Sequence, residues 1–392
     1  MLELLTSKIL VKATLIALLL SVFSCDNIKR DDPDPASPRT VLVYMAANCN
    51  LGREGYDALD LDEMLRGVRN GDAGYGRLLV YHAAYRSDPV LKEVTKDGII
   101  ELKKYDSGLS SLDIERMRGV IADVKSIAPA KSYGIVFWSH GTTWRESSSS
   151  RSASGIEGSR SFTDNGPIAY SYGVDGTREM KLTSLAKALE GNRFDFIYFD
   201  VCHMATVEAA YEFRHAAEVL VGSTTELDLL GMPYHLNLKY MFADTPDMVG
   251  AAQSTLNYYT ENPRSGCSMS VINLDALDRL AEATKRIYQS GVDLPYSFTG
   301  VPYYRVSSPC LVYDYGHYIR ALRPEQELLD EWEAAYKETV VWKGATDRSY
   351  GFDMSQFTGL GSFIMFSQPD SLTDGYNNQS WFKDVARYAV SH

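Results

Sequence analysis

A thiol and an imidazole stand at matching places in two similar stretches of this chain. Phe194-Asp195-Phe196-Ile197-Tyr198-Phe199-Asp200 is an apolar, aromatic-rich run that reads as a buried strand, and Cys202 follows its end. Tyr133-Gly134-Ile135-Val136-Phe137-Trp138 has the same shape and runs into Ser139-His140-Gly141. Nucleophilic cysteine catalysis needs a thiolate, a base to form it and donors for the oxyanion. A free thiol has a pKa of ~8.5, which an imidazolium or a helix N-terminus lowers. His140 supplies the imidazole. The helical stretch from Ala205 to Phe213 is expected to aim its N-terminal N–H groups at the Cys202 thiol. The backbone N–H groups of Gly141 and Cys202 are the expected oxyanion donors, and Gly141 lets a substrate backbone approach closely. The pairing points to a cysteine endopeptidase that works through a thioester acyl-enzyme.

Each residue also has a plainer reading. A lone Cys is most often a buried structural thiol. The placement of Cys202 and His140 at the carboxyl ends of two strands, where open α/β sheets collect ligands and chemistry, favours the dyad instead. His203 is expected to point away from its neighbour Cys202, as a wall or core residue. Asp200, two residues before Cys202 and nominally on the same side, either holds a nearby loop through backbone N–H groups, the favoured reading, or orients a catalytic group. Ser139 lacks the GxSxG surroundings of a serine nucleophile. Cys49, after the first strand, is expected to line the cleft as packing or substrate wall.

The elements that must position these residues alternate along the chain. Strand patterns run from Thr40 to Ala47, Arg77 to Tyr85, through the His140 and Cys202 runs, and from Glu218 to Thr224. Helices are expected from about Asp57 to Val68, from a Ser110 or Ser111 cap to Ile127, and from Thr183 to Leu189. Residues 92–105 read as a hairpin turning at Lys96-Asp97-Gly98. Strand, helix, strand repeated in this way implies a mostly parallel sheet flanked by helices, in the α/β class. Residues 143–178, rich in Ser and Gly, read as a long mobile loop beside the site. Beyond about 235 the pattern loosens, with helical segments at 246–260, 274–290 and 324–338. Strand-like runs follow at Ser268 to Ile272 and at Ser362 to Phe366. This part reads as an α+β extension packed on the same sheet, which divides the fold into a core at 39–265 and an extension at 266–392.

With 392 residues, 45% hydrophobic and 23% charged, the chain can build a large core. A net charge of -12 argues against nucleic acid as a partner. Lys8 and Lys12 precede an apolar run from Ala13 to Phe23, which reads as a secretory signal ending at Val22-Phe23-Ser24-Cys25. A small residue directly before Cys25 resembles the bacterial lipoprotein processing site, so residues 1–25 are expected to be a signal and Cys25 the lipid attachment point. Residues 26–38, polar and Pro-rich, read as a flexible tether. An exported chain anchored to the cell envelope, at the outer membrane or cell surface, is the corresponding expectation. Cys49, Cys202, Cys267 and Cys310 are not spaced as a disulfide framework or a zinc site.

Taken together, the first strand, Phe137-Trp138-Ser139-His140-Gly141 and Phe199-Asp200-Val201-Cys202-His203-Met204 resemble the clostripain family of cysteine peptidases, within the caspase–gingipain–legumain group. The resemblance extends through Glu208-Ala209-Ala210-Tyr211-Glu212 and Gly231-Met232-Pro233-Tyr234, and more loosely to Gly361-Ser362-Phe363. It implies a caspase-like fold, a protein or peptide substrate, His140 as general base and Cys202 as nucleophile. Relatives that cleave after Arg or Lys carry an acidic residue where Leu230 stands here. Asp228, two residues away, is the alternative carboxylate for a basic P1 side chain, and Leu230 itself would suit an apolar one. Some relatives require calcium, for which the Asp residues here show no ligand spacing; no other cofactor is implied. Relatives also mature by self-cleavage between the His and the Cys, where this chain has Arg145, Arg151 and Arg160. An inactive binding protein on the same fold, or a thiol amidase or transpeptidase sharing the dyad, are the alternatives to the endopeptidase.

Overall fold

The computed structural model describes residues 37–144, 172–292, 300–304, 312–364 and 375–389. The strand-forming runs of the sequence become β1 (Ser37–Ala46), β2 (Arg77–Ala83), β3 (Val90–Thr95), β4 (Gly98–Lys104), β5 (Ala130–Trp138), β6 (Tyr172–Asp175), β7 (Arg178–Met180), β8 (Phe194–Asp200), β9 (Ala217–Gly222), β10 (Ser268–Asn273), β11 (Tyr313–Asp314) and β12 (Val340–Ala345). Nine of them join in one sheet of order β12-β10-β9-β8-β5-β1-β2-β3-β4. The middle five, β9-β8-β5-β1-β2, are parallel. The β3–β4 hairpin at one edge and β10 with β12 at the other run antiparallel to their neighbours. The fold is thus the mostly parallel, helix-flanked α/β sheet that the alternation of elements implies, in a caspase-like arrangement.

Both faces of the sheet are covered, which is why its central strands read as nearly continuous apolar runs. Successive side chains leave a strand on opposite sides. Tyr44, Phe137 and Phe199 therefore join one core with the helices Ile114–Ile127, Leu182–Leu189, Leu277–Gln289 and Gln326–Thr339. Met45, Trp138 and Tyr198 join the other with Tyr56–Asn70, Tyr234–Met241 and Met248–Glu261. Cys49 and Cys202 belong to this second core. Gly134 fixes how closely β5 and β8 approach, because a Cβ there would stand 2.2 Å from the Phe196 ring across the pair.

Several elements differ from the sequence reading. The helix expected from a Ser110 or Ser111 cap begins at Ile114, with no side-chain cap at Asp113. Ser111 is instead held by the core: its carbonyl accepts from Tyr44 Oη at 2.6 Å and its N–H donates to Asp175 at 2.7 Å. The end of the expected 143–178 loop is the β6–β7 hairpin, while 145–171, with Arg145, Arg151 and Arg160, lie outside the described residues. Of the strand expected from Ser362 to Phe366, the described residues form the two-residue strand Gly361–Ser362, paired with β11, while 365 and 366 lie outside the described residues. The helices Tyr234–Met241 and Tyr315–Ala321 and the edge strand β12 carry no clear pattern in the sequence; β12 alternates half-buried and exposed positions through Trp342, Lys343 and Gly344.

Candidate functional site

The register of β5 against β8 pairs Trp138 with Asp200, so His140 and Cys202 each stand two residues past the last pair. The register of β1 against β5 pairs Met45 with Trp138, which brings the Ala47–Asn50 segment to the same end. Three adjacent parallel strands thus deliver His140, Cys202 and Cys49 to one carboxyl edge of the sheet. All three side chains are buried.

His140 Nε2 lies 2.7 Å from Asn50 Oδ1. An amide oxygen can only accept, so this bond puts the ring proton on Nε2 and leaves Nδ1 as the basic nitrogen of the neutral ring. Asn50 opens the short helix Asn50–Arg53 and was not among the sequence candidates. The Cys202 sulfur accepts from the Leu227 N–H at 3.1 Å. The thiol in turn faces the Leu227 carbonyl, at 3.8 Å.

The expected helix-dipole contribution does not hold. The helix behind Cys202 is only Val207–Glu212, capped by Thr206, whose side chain accepts from the Ala209 N–H. The intervening residues pair with the next loop instead: His203 N–H donates to Thr225 O at 3.1 Å and Ala205 N–H to Ser223 O at 2.9 Å. The donor at the sulfur is Leu227, from a loop 25 residues away in sequence. His203 takes up a left-handed backbone (φ 57°), and its Nδ1 lies 2.9 Å from Thr224 O. Its Nε2 lies 3.7 Å from Glu226 Oε1. It is fully buried.

Gly141 forms a bridge with Tyr172 in which Gly173 N–H donates to the His140 carbonyl at 2.8 Å. The Gly141 N–H has no acceptor among the described residues. Asp200 holds the loop after β9: it accepts from Met232 N–H at 3.0 Å and Tyr234 Oη at 3.2 Å. On that loop Asp228 is buried, its Oδ1 accepting from Leu230 N–H at 3.1 Å and its Oδ2 from Ser265 Oγ at 2.8 Å. No Lys or Arg forms an ion pair with Asp228 among the described residues. Leu230 is half-buried in the same turn. Cys49 is buried beside Leu51. Cys25 lies outside the described residues. No three His, Cys, Asp or Glu side chains gather as a metal site among the described residues.

Asn50, Leu227 and Glu226 escaped the sequence reading because no motif marks them. The only hint is that Asn48-Cys49-Asn50 breaks the first strand at the edge where the dyad lies.

A caspase-like sheet with a thiol and an imidazole at one carboxyl edge is the arrangement of a cysteine peptidase. The chain belongs to the clostripain family, peptidase family C11, whose profile matches residues 43–294. Among solved structures, an inactive zymogen C11 protease from Parabacteroides distasonis is 28% identical with a TM-score of 0.75, covering 89% of this chain and 98% of its own. A secreted C11 cysteine protease from Bacteroides thetaiotaomicron, solved with an irreversible peptide inhibitor, is 27% identical with a TM-score of 0.74, covering 89% and 99%. A further secreted C11 protease of that organism, at 22% identity and TM-score 0.78, shares the fold over 89% of this chain and 99% of its own. A search among curated proteins returns no match.

Proposed function

We propose that this protein is an exported cysteine endopeptidase that cleaves after basic residues. The observation that carries the reading is the level placement of His140 and Cys202 past the Trp138–Asp200 pair. In the proposed cycle, His140 Nδ1 takes the Cys202 thiol proton, and the thiolate attacks the scissile carbonyl. The N–H groups of Gly141 and Cys202 stabilise the oxyanion that forms. The intermediate collapses to a thioester, and the leaving amine takes the proton from the His140 imidazolium. Water then gives a proton to His140 and attacks the thioester. The carboxylic acid leaves and Cys202 regains its proton.

The basic P1 preference rests on Asp228. Its carboxylate is buried beside the thiol-bearing loop and held by the Leu230 N–H and Ser265 Oγ. A buried carboxylate with hydrogen-bond donors but no cation is suited to receive an ammonium or guanidinium. Leu230 would then contact the aliphatic stem. Cys49 is assigned to the substrate wall. Export and lipid attachment at Cys25, with residues 26–38 as tether, follow from the N-terminal sequence; a relative described as secreted agrees with export. The 39–265 core and 266–392 extension complete the assignment. Stable anchoring needs more than one acyl chain.

Fluorogenic peptides varied at P1 test the reading, with wild type and Cys202→Ala compared. Cleavage after Lys or Arg that Cys202→Ala abolishes is expected. Cleavage only after apolar residues would remove Asp228 from its role, and no cleavage together with an unreactive Cys202 would favour an inactive binding protein.

A further inference from the structure

β6 holds both His140 and the segment that orients it. It lies along the residues that follow β5: Gly173 N–H donates to the His140 carbonyl at 2.8 Å and Val174 N–H to Ser139 Oγ at 3.2 Å. Ser139 Oγ donates in turn to the carbonyl of Ala46, the last residue of β1, at 2.8 Å. Beyond Ala46 the chain leaves the sheet as Ala47-Asn48-Cys49 and enters the helix Asn50–Arg53, whose first residue reaches His140 Nε2. The turn is tight, since a Cβ at Gly52 would stand 2.0 Å from Ala47 O.

Asn48, in the middle of this break, is fixed at three atoms. Its Oδ1 accepts from Arg86 N–H at 2.9 Å, its Nδ2 donates to Asp175 Oδ1 at 2.8 Å, and its carbonyl accepts from Gly176 N–H at 2.9 Å. A backbone N–H can only donate and a carboxylate only accept, so the amide has one orientation. Asp175 closes β6 and is anchored from its other side. Its Oδ2 accepts from Ser110 Oγ and from Ser111 N–H, the latter at 2.7 Å. Ser111 is tied to the core: its carbonyl accepts from Tyr44 Oη at 2.6 Å, and its Oγ lies 3.1 Å from Tyr81 Oη. Tyr44 and Tyr81 are themselves paired across β1 and β2. Hydrogen bonds therefore run from the sheet through Ser111, Asp175 and Asn48 to within two residues of Asn50. Asp175 and Asn48 are half-buried, and a hydrogen bond to a carboxylate is stronger than one between neutral groups.

We propose that Asp175 is a positioning residue for the base, acting through Asn48 to hold Asn50 against His140. With Asn48 fixed, Asn50 Oδ1 stays 2.7 Å from His140 Nε2, which keeps the ring proton there and leaves Nδ1 to take the Cys202 proton. Releasing Asn48 lets Asn50 drift from the ring, so that a smaller fraction of the enzyme holds the base in its working tautomer and orientation. The inference rests on the assignment of His140 as general base above.

The test compares wild type with Asp175→Ala, Asn48→Asp, Asn50→Ala and His140→Ala, and with two double variants: Asn48→Asp with Asp175→Asn, and Asn50→Ala with Asp175→Ala. One fluorogenic peptide serves for steady-state kinetics, and active sites are counted with an irreversible thiol-directed inhibitor. Asp175→Ala is expected to lower kcat per active site about fivefold with KM little changed, and to slow iodoacetamide labelling of Cys202 by a similar factor. Asn48→Asp sets two carboxylates against each other and is expected to lose at least as much. Exchanging the pair, Asn48→Asp with Asp175→Asn, restores one donor and one carboxylate and leaves Arg86, Ser110 and Ser111 their acceptors. It is expected to recover kcat to within about twofold of wild type, which a merely structural loss would not do. Asp175→Ala is expected to add nothing to Asn50→Ala, since the acceptor it serves is gone. Wild-type kcat per active site in Asp175→Ala, no recovery in the exchanged pair, or a full further loss on top of Asn50→Ala would overturn the inference. Wild-type kcat in His140→Ala would instead contradict the base assignment on which it rests.

Discussion

Glu208 offers a sharp test of how the C-terminal segment is held against the site. It sits in the first turn of the helix Val207–Glu212 and is fully buried. Its Oε1 accepts from Phe363 N–H at 2.8 Å, Ser362 Oγ at 3.0 Å and Tyr376 Oη at 3.3 Å. Its Oε2 meets no partner among the described residues. Phe363 and Tyr376 meet Trp144, four residues beyond His140, edge to face. Burial outweighs the three donors and pushes the carboxyl from 4.5 up to about 7. The folded state therefore binds more protons than the unfolded chain between these two values. The stability this group contributes is full below 4.5, is lost as pH rises toward 7, and stays lost above it. At about 1.4 kcal/mol per pH unit, the cost of ionising Glu208 in place reaches about 3 kcal/mol above pH 7. Glu208→Gln keeps an acceptor for the three donors and cannot ionise. In urea unfolding followed by tryptophan fluorescence, the variant is expected to match wild type within about 1 kcal/mol at pH 4.5 and to exceed it by about 2 kcal/mol at pH 8. A difference that is equal at the two pH values, or a variant less stable than wild type at pH 8, would refute the reasoning.

Other outcomes follow from the same geometry. Asn50→Ala removes the acceptor that orients His140 and is expected to lower kcat about tenfold with little change in KM, read by steady-state kinetics. Asp228→Asn keeps the shape of the pocket but not its charge; kcat/KM for a Lys P1 peptide is expected to drop at least about tenfold, with a norleucine peptide nearly unaffected. Gly134→Ala forces a methyl into the Phe196 ring and is expected to cost about 1–3 kcal/mol in chemical denaturation.

The placement of His140 and Cys202 at one edge of the sheet was legible because strand burial and strand ends leave local traces. The runs ending near His140 and Cys202 have the apolar pattern of strands covered on both faces, and their parallel pairing set the two residues level. The contacts that surround this edge were not legible, because they join distant residues. Asn50 meets His140 across 90 positions and Leu227 meets Cys202 across 25. The helix-dipole expectation failed for a local reason: residues 203–205 turn to pair with Ser223 and Thr225 before the helix starts. Of the two readings of Asp200, its bonds to the Met232 N–H and the Tyr234 hydroxyl fit the loop holder.

The central claim is that Cys202 is the nucleophile and His140 its base. Labelling with an irreversible thiol-directed peptide ending in Lys, mapped by mass spectrometry, tests it most directly. The account predicts one adduct per chain, on Cys202, absent in Cys202→Ala and formed far more slowly in His140→Ala. An adduct on Cys49 or Cys267, or labelling of Cys202 at an unchanged rate without His140, would contradict it.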